Sequence, residues 1–128
     1  MGKILSELDS SASILTIRVV GEVKDAQAIR EIPLIWEEHP ETRTYDSIID
    51  LLLDEGSISW EAIVEIAAKW NSFARDADLG RRSAIVVRND LWDAIVKAIA
   101  TRFPARRFAI FNTAEEARRW IESRSNAA

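Results

Sequence analysis

Apolar and polar positions near the start of the chain follow a period close to two. Ile14 to Val20 reads Ile-Leu-Thr-Ile-Arg-Val-Val, a β-branched run that predicts a strand, and Gly21 marks its end. Ile4 to Leu8 predicts a shorter strand, and the polar tract Asp9 to Ser13 predicts a hairpin turn between the two. From Lys24 the period changes. Ala28, Ile29, Ile32, Ile35 and Trp36 recur at spacings of three and four, the signature of an amphipathic helix, with Asp25 near its N-terminus. Pro33 falls inside this helix and is expected to kink or split it, because proline lacks an N–H and its ring meets the preceding turn. His39-Pro40 ends it.

Ser47 to Leu53 is a short apolar run between turn signals and predicts a buried strand. A loop over Asp54 to Ser59 follows, with Ser59 as N-cap of a helix that carries Ile63, Val64, Ile66, Ala67, Trp70 and Phe73 on one stripe. Ser83 to Val87 predicts a strand, and Asp90 is expected to cap a helix bearing Leu91, Trp92, Ile95, Val96 and Ile99, which stops near Pro104. Phe108 to Phe111 predicts the last strand. Thr113 and Glu116 have capping-box spacing for a closing helix that buries Ala117, Trp120 and Ile121. From residue 14 onward, strands and helices alternate. That order predicts an α/β fold with a mostly parallel five-stranded sheet, one antiparallel N-terminal strand and about four helices. Residues 1–122 are expected to form a single domain, and 123–128 a frayed tail.

Composition narrows the chemistry. A chain of 128 residues with 48% hydrophobic side chains is long enough for one core that needs neither disulfide nor metal. No Cys and a single His, His39, remove thiol chemistry, most structural zinc sites and a self-contained Ser-His-Asp triad. No metal or other cofactor is expected. The N-terminus has no continuous apolar segment of signal-peptide type, and no apolar run approaches the roughly 18 residues of a membrane span, so a cytoplasmic protein is the expectation. A net charge of −4 argues against general nucleic-acid binding. Five Trp, at 36, 60, 70, 92 and 120, are the surplus.

The topology sorts the charges. Arg43, Arg81, Arg82, Arg106 and Arg107 lie just before strands, and Arg102 near a helix end, so they should share the rim where strands begin. Glu22, Asp25, Asp54, Glu55, Ser57, Ser59, Asp90, Asn112 and Thr113 should share the opposite rim, at helix N-termini. Helix dipoles account for this segregation, since they favour acids at N-termini and cations at C-termini; the alternative is a basic anion or partner site on the arginine rim. Ligands of open α/β sheets sit at the carboxyl ends of strands, which directs attention to residues 22–25, 54–59, 88–92 and 112–113.

The run from Ile14 through Gly21-Glu22-Val23 into a helix resembles the opening of STAS domains. Arg82-Ser-Ala-Ile-Val-Val87 with Trp92, then Arg107-Phe108 and Phe111, then Glu116-Ala117 with Trp120-Ile121, resembles the SpoIIAA-like branch, a bacterial group related to STAS and CRAL-TRIO proteins. The resemblance implies a regulatory module: in anti-sigma-factor antagonists of this fold, a Ser in an Asp-Ser-Ser-Gly-like loop before the second helix is phosphorylated and switches protein binding. The equivalent segment here, Asp54-Glu55-Gly56-Ser57-Ile58-Ser59, departs from that motif, because Gly precedes both serines, Glu55 stands at a hydroxyl position and Ile58 separates Ser57 from Ser59.

No nucleophile with a matching base, no receiver-type acid pair with its Lys, and no P-loop or dinucleotide fingerprint is present. A non-enzymatic protein is therefore expected. One reading is a protein-interaction module that acts through Asp54, Glu55, Ser57 and Ser59, with an unidentified protein or a second copy of the chain as partner. The other is a binder of a small apolar or amphipathic ligand in a cleft near Trp60 and Trp92. The remaining Trp, on helix stripes, are assigned to the core.

Overall fold

β1 (Lys3–Asp9) and β2 (Ile14–Gly21) pair antiparallel, with Asp9 opposite Ile14 at the closed end. The Asp9 carboxylate accepts from Ser11 Oγ at 2.8 Å and from the Ala12 N–H at 3.1 Å, which closes the turn as an Asx motif. β2 then pairs parallel with β3 (Asp46–Asp54), β3 with β4 (Arg82–Val86) and β4 with β5 (Arg107–Phe111), giving the sheet order β1-β2-β3-β4-β5. The computed structural model describes residues 2–55, 58–78, 80–88 and 92–123; the expected cap at Asp90 and the tail beyond residue 123 lie outside them. The mixed sheet and four helices are the α/β architecture expected from the alternation of periods.

Strands that are neighbours in sequence are neighbours in the sheet. A right-handed crossover at every step then places the connecting helices on one face. These are α1 (Asp25–Glu38), α2 (Trp60–Ala74) and α3 (Trp92–Ala100). Side chains alternate across a strand, so Leu15, Ile17, Val19, Ile49, Leu51, Ile85 and Phe108 face these helices. Ile14, Ile48, Ala84 and Val86 face the other way, where α4 (Ala114–Glu122) covers them with Ala117 and Ile121. Thr113 caps α4 by accepting from the Glu116 N–H at 3.2 Å. Arg118 of α4 bonds Asp9, tying the closing helix to the first turn.

Two local irregularities shape the face of the sheet that carries three helices. Between the pairs Arg18–Asp50 and Val20–Leu53 the register shifts, so β3 carries an extra residue there. This bulge reverses the alternation, and Asp54 consequently faces the same side as Leu51. Pro33, expected to kink or split its helix, does not split it: α1 runs through 14 residues without a break. Only the hydrogen bond to the Ile29 carbonyl is forfeited. Burial of Ala28, Pro33 and Trp36 against the sheet and α2 holds the remaining turns.

Candidate ligand cavity

Side chains from β2 to β5 and from the three helices on one face surround a cavity of about 380 Å³. Ile17, Val19, Ile49, Leu51, Ile85 and Phe108 form its floor; Ile32 and Trp36 of α1, Ile63, Ile66 and Trp70 of α2, and Ile99 of α3 form its roof. Several of these lie between helices and sheet yet keep partial solvent access, Ile49 and Leu51 of the floor and Ile32 and Ile66 of the roof among them. The helices therefore stand off the sheet along this strip. The wall near the C-terminal ends of α1 and α2 is aromatic. Trp36 and Trp70 meet edge to face with centroids 4.8 Å apart, and Phe73 sits 5.6 Å from Trp70.

The end of the cavity at the strand starts is polar. Arg106, immediately before β5, is 6% exposed. Its Nη1 donates to Ser83 Oγ at 2.9 Å, to the Arg82 carbonyl at 3.2 Å and to Ser47 Oγ at 3.4 Å, and its Nη2 donates to the Tyr45 carbonyl at 3.1 Å. The guanidinium also lies 4.8 Å from the centroid of the Trp70 ring. Ser47 and Ser83 pair across β3 and β4 and are themselves buried. Beside them, Trp70 Nε1 is a buried donor with no hydrogen-bond partner among the described residues. At the opposite end Asp54 joins the lining, as the bulge allows, together with Ile58.

The residues singled out in the sequence fall in different places. Ser59 caps α2: its Oγ accepts from the Ala62 N–H at 3.2 Å and donates to Asp25 Oδ2 at 2.6 Å, while its own N–H donates to Asp25 Oδ1 at 2.8 Å. These bonds from Ser59 hold the Asp25 carboxyl below the usual carboxylate range. Phosphorylation of Ser59 would set a dianion against Asp25 and displace the cap. Asp54 borders the cavity, Glu55 is exposed and donates its N–H to the Gly21 carbonyl, and Ser57 lies outside the described residues. Gly21 itself has φ +74°, a left-handed turn at the exit of β2 that a side chain would strain.

Trp60 does not line the cavity. It is 38% exposed at the start of α2, with the Arg102 guanidinium 5.9 Å from its ring centroid. Trp92 begins α3, and its side chain lies outside what the structure describes. The indole rings that the described residues bring to the cavity are those of Trp36 and Trp70, which the helix stripe assigns to core. Trp120 is half-buried against Phe111, 5.6 Å between centroids.

The rim arginines also differ from a free basic surface. Arg82 donates to the Trp120 carbonyl at 2.6 Å and stacks over that indole, Arg43 stacks over Phe73, and Arg106 is turned inward. Sequence reasoning placed Arg106 on the rim and missed its burial. The residues that receive it, Tyr45, Ser47, Arg82 and Ser83, come from distant segments, so no local signal announces them. No group of three or more His, Asp or Glu side chains among the described residues is placed to hold a metal ion. No helix there is long and apolar enough to cross a membrane.

No family model matches the chain, and no curated protein matches its sequence. Among solved structures, the chain is similar to an uncharacterised protein of the DUF3478 family with a SpoIIAA-like fold from Shewanella loihica PV-4. The TM-score is 0.67 at 18% identity, over 94% of this chain and 93% of that one. Together with the strand order and the four helices, this similarity makes the chain a SpoIIAA-like α/β fold, as the order of its sequence motifs implied.

Proposed function

We propose that this protein is a non-enzymatic binder of a small amphipathic molecule, held between the sheet and helices α1 to α3. The observation that carries this reading is the cavity of about 380 Å³, within the size range of small-molecule sites, with an apolar length and a few convergent polar groups at one end. It retains the ligand-binding alternative raised by the sequence but moves the site from Trp60 and Trp92 to Trp36 and Trp70. An Ile66→Trp substitution tests it, because a larger ring at that position projects into the middle of the space. Calorimetric titration with decan-1-ol should give saturable binding with a negative heat-capacity change to the unaltered protein. Binding should be lost in Ile66→Trp while its circular dichroism stays native. Absence of binding to the unaltered protein, or equal binding to both, sinks the proposal.

An interaction role for the strand-end rim has its own support. Leu53 and Trp60 are 50% and 38% exposed, and they flank the segment that resembles the regulatory loop. On this reading a second copy of the chain docks there. Sedimentation analysis should show concentration-dependent dimerisation that Leu53→Ser with Trp60→Ala removes. A monomer at all concentrations rules the self-contact out.

A further inference from the structure

We propose that the cavity is oriented and selects a monocarboxylate with an unbranched apolar tail, its carboxylate at the Ser47, Ser83 and Trp70 end. This rests on the ligand-binding reading above and adds the ligand's headgroup and direction.

The polar end is a set of donors that lack acceptors. Ser47 and Ser83 each accept from Arg106 Nη1, which leaves each hydroxyl proton available, and neither hydroxyl donates a hydrogen bond among the described residues. Trp70 Nε1–H is a third donor, buried and unpartnered among the described residues, on a side chain only 3% exposed. Ser47, Ser83 and Trp70 all line the cavity, and two lone-pair-rich oxygens of one carboxylate answer several donors better than a single hydroxyl or carbonyl does. The two ends also differ in chemistry: the Arg106 guanidinium donates to both serines at one, and Asp54 borders the other.

The dimensions set the tail. Ser47, Ile49 and Leu51 succeed one another on the cavity face of β3, and four residues of strand span about 13 Å. At roughly 30 Å³ for each methylene-sized group, the volume holds about a dozen non-hydrogen atoms. Decanoate, with ten carbons and two oxygens, matches both.

The test compares decanoate with decan-1-ol near neutral pH. Decanoate should bind the unaltered protein more tightly, by about tenfold, and Ser47→Ala with Ser83→Ala should remove that preference while leaving decan-1-ol affinity within about twofold. The indole N–H resonance of Trp70, assigned through Trp70→Phe, should move downfield with decanoate and much less with decan-1-ol, a readout on the unaltered protein should the double variant fold poorly. If both ligands bind alike and the indole resonance responds equally to each, the headgroup site is overturned and the apolar cavity stands. If neither binds, or both bind Ile66→Trp as well, the cavity reading itself fails and this inference with it.

Discussion

One serine and one aspartate connect α1 to α2. Ser59 accepts from the first turn of its own helix and gives both of its protons to Asp25, at the start of the other. Removing the hydroxyl in Ser59→Ala should lower unfolding stability by about 1 kcal/mol, the usual cost of a lost N-cap, measured by urea denaturation. A second carboxylate, Asp9, reports on pH. Its bonds to Arg118, Ser11 and Ala12, in that order of influence, lower its pKa from the ordinary value to about 2. A carboxyl that titrates lower when folded stabilises the fold above its unfolded pKa, about 3.9, and loses that contribution as pH falls towards the folded value. The Tm advantage of the unaltered protein over Asp9→Asn should therefore be full at about pH 6 and shrink to a small fraction of that by about pH 2. A gap independent of pH across that window contradicts the ionic account.

Elements were legible in the sequence where period and punctuation agreed. The β-branched run Ile14 to Val20, the stripe Ile63 to Phe73 and the Thr113 cap each imposed one local answer, and the fold contains all three. Pro33 shows where local rules give way, since burial against the sheet and α2 outweighs one missing hydrogen bond. Pro33→Ala should then stabilise the protein by about 1 kcal/mol. A helix-interior proline costs about 3 kcal/mol, and two buried methylene groups return about 1.6 kcal/mol of that when removed. A fall in Tm on this substitution shows that ring packing dominates instead. The cavity was not legible for a different reason. Trp36 and Trp70 occupy ordinary core positions of their helices, and only the distance between helices and sheet decides whether such rings meet a strand or a space. Arg106 likewise reads as a rim charge until acceptors from two separate segments, Tyr45 to Ser47 and Arg82 to Ser83, converge on it.

At the scale of the molecule, the two faces of the sheet are unequal. One helix closes the α4 face tightly, with Ala84, Val86 and Ala117 fully buried, while three helices stand over the other and leave the cavity between them. A dry void of that volume would cost about 9 kcal/mol at 24 cal/mol per Å³, comparable with the whole stability of a domain this size. Occupancy should therefore govern how stable the protein is. Saturating decanoate at about a hundred times its Kd should add about 2.7 kcal/mol and raise Tm, with no such rise in Ile66→Trp. Leu53, 50% exposed beside the bulge, should tolerate Leu53→Ser within about 0.5 kcal/mol, because it buries too little to matter for folding.

The clasp between Arg118 and Asp9 joins residues 109 positions apart, in a sheet whose strands otherwise follow one another edge to edge. A chain arranged in this way can assemble in the order in which it is synthesised, each strand pairing with the one just made, and the closing helix fastens last. Low separation between partners favours fast folding, and a late contact is absent from the transition state. Arg118→Ala should accordingly leave the folding arm of the chevron unchanged and raise only the unfolding rate, so this contact from the middle of α4 acts as a latch on how long the native state survives.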